Sequence, residues 1–208
     1  MLTPDWHRPV AAILDAFGLD DVTLVGISLG GCLVMRAAAF EPRVRRVIAW
    51  DILTDLYACF TLTLPPALRS LADNATNADA AGKLDLAIRD AQTRSPLLDW
   101  VMKQAYHVLG CKSPSEVFAR ARNFHTRDVS RGVQQDVLLM AGAQDHYVPL
   151  DQLFEQARML PAARSTTMRI FTKEEYAQMH CQLGNFPLAL DLMESWAEER
   201  TRPPRAVG

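Results

Sequence analysis

Concentrated positive charge is what this 208-residue sequence most clearly lacks. Its 22 lysine and arginine residues are offset by 24 acidic residues, which leaves a net charge of −2 and no basic stripe. Binding to nucleic acid or to an anionic membrane depends on such charge. We therefore expect neither partner, and a small-molecule substrate is the better prediction.

Long apolar runs and paired cysteines are missing too. No run reaches the ~18 residues of a membrane span, and the amino-terminal "MLTPDWHRPV" has no signal-peptide core. The four cysteines form no CxxC pair, and no group of histidine, acidic and cysteine residues has metal-ligand spacing. The sequence therefore predicts a cytoplasmic protein with reduced thiols, no metal and no cofactor. The cysteines are Cys32, Cys59, Cys111 and Cys181.

The two ends of the sequence alternate between helix and strand patterns. Thr3 and Pro4 predict the start of an amphipathic helix that Gly18 ends. The segments "VTLVGI" and "RRVIAWD" are typical of buried strands, and "LGGCLVMRAAAF" between them is typical of a helix. Strand, helix and strand in this order predict a parallel βαβ unit.

The middle of the sequence has helical patterns alone, one of which opens with a predicted capping box from Ser113 to Glu116. Strand patterns return with "DVLLMAG" and "TTMRIF". The order predicts an α/β fold with a mostly parallel sheet of about four strands. We expect a discontinuous core over residues 1–51 and 133–200, an inserted helical cap over 52–132, and a disordered tail over 201–208.

A serine flanked by glycines lies where the first predicted strand meets its helix. In "GISLGG", Gly26 and Gly30 stand two residues on either side of Ser28. A direct strand-to-helix turn is tight, and we expect both glycines to prevent Cβ clashes there. GxSxG in this context is a nucleophile elbow, with the backbone N–H of Leu29 able to stabilise an oxyanion. A phosphate loop is disfavoured, because the lysine of GxxxxGK[ST] is absent.

A serine nucleophile requires a base and an acid that orients the base. Asp145 follows the strand "DVLLMAG" and His180 follows the next strand, so both lie where the ends of parallel strands meet. We predict Asp145 as the acid and His180 as the base, in the order serine, acid, histidine. Asp51, also at a strand end, is the alternative acid, and His146 is the alternative base. Cys181 is expected to be a buried structural thiol.

These motifs together resemble the α/β-hydrolase superfamily. "GISLGG" with "RAAAFEPRV", then "GAQDHYVP", then "HCQLGN" before a terminal amphipathic helix carry the likeness. The sequence is most similar to members with a helical cap between the sixth and seventh strands, the group of dipeptidyl-peptidase-like and carbon–carbon-bond hydrolases such as 2,6-dihydroxypseudooxynicotine hydrolase. The resemblance implies Ser28 as nucleophile, Asp145 as acid, His180 as base and Leu29 as an oxyanion donor.

One departure from that resemblance concerns the start of the sheet. The elbow strand is the fifth of eight in the superfamily, and here it is the first strand pattern in the sequence. We expect either a carboxy-terminal portion, a mis-started product or a shortened homologue. The segment that would bring the second oxyanion N–H is not in the sequence, and losing one such donor costs ~10² to 10³ in rate. An open edge at "VTLVGI" predicts a homodimer through that edge or poor solubility, with more activity in a version extended at its amino terminus.

Substrate preference rests on aromatic residues of the predicted cap. They could line an apolar pocket, although packing between helices is the more common role of such residues. The predicted activity is hydrolysis of an ester, amide or activated carbon–carbon bond in a medium-sized, partly apolar substrate. The alternative is a non-catalytic hydrolase-like module that binds a ligand or a partner. The candidate pocket residues are Tyr57, Phe60, Trp100, Tyr106 and Phe118.

Overall fold

A computed structural model describes residues Met1–Thr201 of the chain. The predicted disordered tail therefore lies, from residue 202 onward, outside the described residues. The strands are β1 Val22–Ile27, β2 Val44–Trp50, β3 Asp136–Gly142 and β4 Ser165–Phe171. The helices are α1 His7–Phe17, α2 Leu29–Ala38, α3 Leu56–Thr61, α4 Pro66–Asp73, α5 Ala78–Arg94, α6 Pro96–Leu109, α7 Pro114–Ala121, α8 Asp151–Arg158 and α9 Phe186–Thr201, with short 3₁₀ turns at Ser130–Gly132, Lys173–Glu175 and His180–Gln182.

The four strands form one parallel sheet in the order β1-β2-β3-β4. Val47 of β2 pairs with Leu24 of β1 on one side and with Val137 of β3 on the other. Parallel neighbours require a crossover connection. Helices supply each crossover, and those between β2 and β3 are α3 to α7. This confirms the predicted α/β fold with a helical insertion.

Both faces of the sheet are covered by helices, and alternate strand residues face each side. Val47, Val137 and Leu139 pack in one apolar cluster with residues of α1, α2 and α8. Ile48 and Leu138 point to the opposite face, where they pack in a cluster with residues of α9. Such double burial is why β2 and β3 have nearly continuous apolar sequences.

The interpretation of "VTLVGI" as a buried strand is wrong. Val25 and Ile27 of β1 remain 49% and 44% exposed, whereas β2 is buried along almost its whole length. The reason is position in the sheet, since among the described residues β1 pairs only with β2 and lies at the sheet edge. Sequence composition does not distinguish an edge strand from a central one.

One predicted helix start is wrong, and one predicted capping box is only half formed. Helix α1 begins at His7, with Trp6 at the N-cap position, so Thr3 and Pro4 do not start it. Its end at Gly18 is confirmed, because Gly18 adopts φ 62° and closes the helix. The predicted capping box is half formed: the Ser113 hydroxyl accepts the Glu116 N–H, but the Glu116 carboxylate accepts the N–H of Lys112 instead.

The described chain divides into two compact units. One comprises Met1–Pro4 with Asp55–Phe124, and the other comprises Asp5–Thr54 with the residues from His125 onward. The first is helical, and its amino-terminal segment is held by the bond from Leu2 N–H to the Val108 carbonyl (2.9 Å). The second contains the whole sheet. The predicted boundaries at residues 52 and 132 remain a prediction.

Candidate active site

Ser28 lies in the turn between β1 and α2, in a backbone conformation that is rare for a side-chain-bearing residue. Its φ is 56° and its ψ is −118°. Such strain costs ~1–3 kcal/mol and persists only where the surrounding structure enforces it. Here the Ser28 N–H donates to the Trp50 carbonyl (2.7 Å), and the Gly31 N–H donates to the Ser28 carbonyl (2.8 Å). The turn is held from both sides.

The two glycines of the motif differ in what they allow. A Cβ on Gly26 would lie 2.1 Å from the Gly30 carbonyl oxygen, a distance that forces the backbone to move. A Cβ on Gly30 would meet no atom within 4 Å. The expectation that both glycines prevent a clash is therefore right for Gly26 and wrong for Gly30, because a Cβ on Gly30 would enter open space.

Leu29 is the first residue of α2 and follows Ser28 directly. The first N–H groups of a helix have no partner within the helix, and the helix dipole places partial positive charge at this end. An anion that forms beside Ser28 would be stabilised by these N–H groups and by the dipole. The position is the one that the sequence predicted for an oxyanion donor.

The three predicted triad side chains form a continuous hydrogen-bonded chain. Nδ1 of His180 lies 2.6 Å from Oδ2 of Asp145, and Nε2 of His180 lies 3.1 Å from Oγ of Ser28. An ionised carboxylate only accepts, so the ring donates through Nδ1, and in the neutral ring Nε2 can accept the Ser28 hydroxyl. Residues 152 positions apart in sequence are brought together by the parallel sheet, whose carboxyl ends carry all three.

Asp145 is fixed by its own turn as well as by His180. Its Oδ1 accepts the N–H groups of Tyr147 (2.7 Å) and Val148 (3.0 Å), while Oδ2 accepts His180. Burial alone would raise the pKa of Asp145, but these hydrogen bonds hold it below its usual value. Asp145 thus holds its loop in shape and remains an anion facing His180.

His180 is partly buried, and two opposing effects act on its ring. Burial favours the neutral ring and lowers its pKa, whereas the hydrogen bond to Asp145 and the neighbouring Cys181 raise it. The net result is a pKa above the ordinary value of histidine. The ring is therefore a stronger base than a free imidazole.

The alternative base His146 and the alternative acid Asp51 are less well placed than His180 and Asp145. His146 is exposed and stacks on Tyr147 with 4.0 Å between ring centroids, and its ring centroid is 6.5 Å from that of His180. Asp51 is buried at the end of β2, and its Oδ2 is 3.7 Å from Nδ1 of His180. That is longer than a hydrogen bond, so Asp145 is the direct partner of the ring. Cys181 is half-buried next to His180, so the expectation that its thiol is buried is wrong.

Gln182 and Trp50 were not among the predicted site residues. Gln182 bonds to Asp51, and Trp50 bonds to Gln182. Gln182 is fully buried; its Oε1 accepts the indole N–H of Trp50 and its Nε2 donates to Asp51 Oδ1 (3.0 Å). A glutamine two residues after a histidine carries no motif signal. Only the folded chain shows that it links the end of β2 to the loop of His180.

Among residues Met1–Thr201, the ligating atoms of Asp51, His180 and Cys181 lie within 4.8 Å of one another. Carboxylate, imidazole and thiol are donor types that zinc accepts. However, Asp51 already accepts three N–H groups, and His180 already bonds Ser28 and Asp145. We therefore assign the cluster to the hydrogen-bond network rather than to a metal.

The candidate pocket residues all belong to the helical unit, where three of them contact one another. Phe118 is buried, and the rings of Tyr57 and Phe60 meet it edge-on at 6.4 and 6.3 Å. These contacts are packing within the unit. Trp100 on α6 is 62% exposed and Tyr106 on the same helix is half-buried. Contact of any of these residues with substrate remains a prediction.

Within the part of the chain that the structure describes, no helix combines the length and apolar character needed to cross a membrane. All four cysteines lie in this part, and none of them forms a disulfide there. The predicted reduced thiols are thus consistent with the folded chain.

A parallel sheet with a serine at the first strand-to-helix turn, and with an acid and a histidine after later strands, defines a protein of the α/β-hydrolase class. Residues 3–179 match the alpha/beta hydrolase fold family, and the chain belongs to that family. The resemblance stated from the sequence is confirmed.

Among curated relatives, the chain is 25% identical to Hydrolase acrC of Aspergillus aculeatus, over 96% of this chain and 49% of that protein. It is also 25% identical to Hydrolase LUC6 of a Fusarium species, over 95% and 50%. The chain thus spans about half the length of these relatives. Among solved structures, 2,6-dihydroxy-pseudo-oxynicotine hydrolase is similar, with a TM-score of 0.63 at 19% identity over 93% of this chain and 46% of that one. That likeness shows the fold alone.

Proposed function

We propose that this chain is a serine hydrolase that cleaves an ester, amide or activated carbon–carbon bond by way of an acyl-enzyme. The observation that carries the proposal is the hydrogen-bonded chain from Ser28 through His180 to Asp145, with distances of 3.1 and 2.6 Å. Membership of the hydrolase family and the names of the curated relatives support the reaction class.

In the proposed mechanism, Nε2 of His180 takes the proton of the Ser28 hydroxyl as Oγ attacks the substrate carbonyl carbon. The carbonyl oxygen becomes an oxyanion, which the Leu29 N–H and the α2 dipole stabilise. Asp145 holds the imidazolium that has formed. Collapse of the intermediate expels the leaving group, which takes the proton from Nε2. Water then attacks the acyl group with His180 again as base, releasing the acid and restoring Ser28.

The proposed substrate is medium-sized and partly apolar. Its support is the aromatic content of the helical unit, in which Trp100 remains largely exposed. We also propose a cytoplasmic location, supported by four cysteines that form no disulfide within the described residues, because oxidising compartments favour disulfides.

A non-catalytic binding module is the second candidate. The exposed apolar edge of β1 favours it, because Val25 and Ile27 offer a surface for a partner chain. A binding module has no need of a buried acid, a histidine and a strained serine in one hydrogen-bonded chain. Reactivity of Ser28 therefore separates the two candidates.

Labelling of the full chain with a fluorophosphonate probe tests the proposal. We expect the wild-type chain to be labelled and Ser28→Ala not to be labelled, with Ser130→Ala as the matched control that keeps labelling. Ser130 is buried in a 3₁₀ turn and bonded to the Thr126 carbonyl, outside the site. A wild-type chain that is folded but not labelled would favour the binding module.

A further inference from the structure

Asp51 is a buried acid that the proposed mechanism does not use. It is 1% exposed and follows the last residue of β2. Its φ of 50° lies in the left-handed region, which a residue with a side chain seldom adopts. The conformation turns its carboxylate towards the loops that carry Asp145 and His180.

Three N–H groups bind the Asp51 carboxylate, and they come from those two loops. Oδ1 accepts the backbone N–H of Gly142 (3.1 Å), three residues before Asp145. Oδ1 also accepts Nε2 of Gln182 (3.0 Å), and Oδ2 accepts the backbone N–H of Cys181, next to His180. One side chain therefore ties the end of β3 to the turn at His180–Gln182.

The turn that holds His180 is not one that the chain adopts easily. Cys181 and Gln182 both have positive φ, 54° and 48°. Residues in such conformations need a surrounding structure that enforces them. The bonds from the Cys181 N–H and the Gln182 side chain to Asp51 supply that constraint.

Asp51 also acts on the ring by its charge. Its Oδ2 lies 3.7 Å from Nδ1 of His180, the nitrogen that donates to Asp145. The pKa of Asp51 is raised overall, first by burial and also by the charge of Asp145, while its N–H donors and the His180 ring oppose that rise. A carboxylate with three N–H donors is arranged to remain an acceptor.

We infer that Asp51 is a positioning residue for His180, which fixes the His180–Gln182 turn and shares with Asp145 the stabilisation of the protonated ring. The inference rests on the proposed function for its effect on turnover. It states more than a structural role, because a carboxylate that only held loops together would leave the protonation of His180 unchanged.

The protonation of His180 is measurable without any substrate. In the full chain, NMR titration of the His180 ring should show a pKa about one unit lower in Asp51→Asn than in wild type, since an opposite charge within ~4–6 Å shifts a pKa by about 1–3 units. Asp136→Asn is the matched control. Asp136 is a buried aspartate at the start of β3, bonded to Arg164 and Ser165. It should lower stability and leave the His180 titration unchanged.

Asp145→Asn, combined with Cys181→Ala to remove the other group that raises the pKa of His180, answers the same question with Asp51 intact. If Asp51 supports the protonated ring, the pKa of His180 in this variant stays above about 6.5, its ordinary value. A value below about 6.5 would mean that burial dominates and would overturn the inference. This measurement decides the matter even if Asp51→Asn does not fold.

Turnover gives the second readout. We expect Asp51→Asn and Asp145→Asn combined to lose more activity than the product of the two single losses, because each acid partly replaces the other. Losses that simply multiply, together with an unchanged His180 titration in Asp51→Asn, would overturn the inference. An unlabelled wild-type chain would instead reject the proposed function, while the titrations would still decide the role of Asp51.

Discussion

A Cβ added to Gly26 would lie 2.1 Å from the carbonyl oxygen of Gly30, whereas a Cβ added to Gly30 would touch nothing. The strand before Ser28 and the helix after it approach so closely that the first glycine of GxSxG is required by space. The second is not required for this reason.

This difference predicts opposite results for two alanine substitutions. Gly26→Ala should lower the free energy of unfolding by about 1–3 kcal/mol, the usual cost of overpacking. Gly30→Ala should be neutral or should stabilise by up to about 1 kcal/mol, because alanine has fewer backbone conformations than glycine to lose on folding. Urea denaturation of both variants measures this, and equal losses would contradict the steric argument.

Turnover should depend on His180 and not on His146. His180→Ala removes the group that bonds Ser28, and we expect it to lower turnover by at least about 10⁴-fold. His146→Ala should keep most activity, since His146 is exposed and contacts Tyr147. Ester hydrolysis by the two variants checks the assignment. An inactive His146→Ala beside an active His180→Ala would reverse it.

The pH dependence of kcat/KM should reflect the raised pKa of His180. The base acts only when neutral, so activity is lost as pH falls through that pKa. Because Asp145 stabilises the protonated ring, the midpoint should lie above about 6.5, the ordinary value for histidine. Removing the charge in Asp145→Asn should move the midpoint to lower pH and also reduce the maximum rate. A midpoint at or below 6.5 in wild type would contradict this.

The exposed edge of β1 should cause self-association. Two copies that pair along β1 would cover Val25 and Ile27, and unpaired apolar strand edges commonly recruit another chain. Size-exclusion chromatography with light scattering should show a dimer or larger species, and Val25→Lys should reduce it. Leu86→Lys is the control, because Leu86 is 73% exposed on α5. A wild-type monomer would refute the proposed dimer.

Chelators should leave the activity intact. The residues proposed for catalysis need no metal, and the carboxylate of Asp51 is already bonded to N–H groups. Assays with and without EDTA test this expectation. Loss of activity that zinc restores would show that Asp51, His180 and Cys181 act as ligands and would overturn the serine mechanism.

Local sequence determined the elements of the sheet and the elbow. "DVLLMAG" became β3 over the predicted residues, and Gly18 ended α1 as expected. The helix start predicted at Thr3 and Pro4 was wrong. The Leu2 N–H donates to the Val108 carbonyl, and residues Met1–Pro4 belong to the helical unit. A cap signal is local, and a contact made 106 residues further along the chain overrides it.

The sequence by itself determined the chemistry that is present: a serine after a strand, an aspartate after another and a histidine after the last. Chain order sufficed because parallel strands bring their carboxyl ends to one edge of a sheet. Only the tertiary structure decided that Asp145 bonds His180 directly while Asp51 stands 3.7 Å away. Both acids lie just after strands, and the difference between them is in backbone angles and N–H partners, which depend on how distant segments pack.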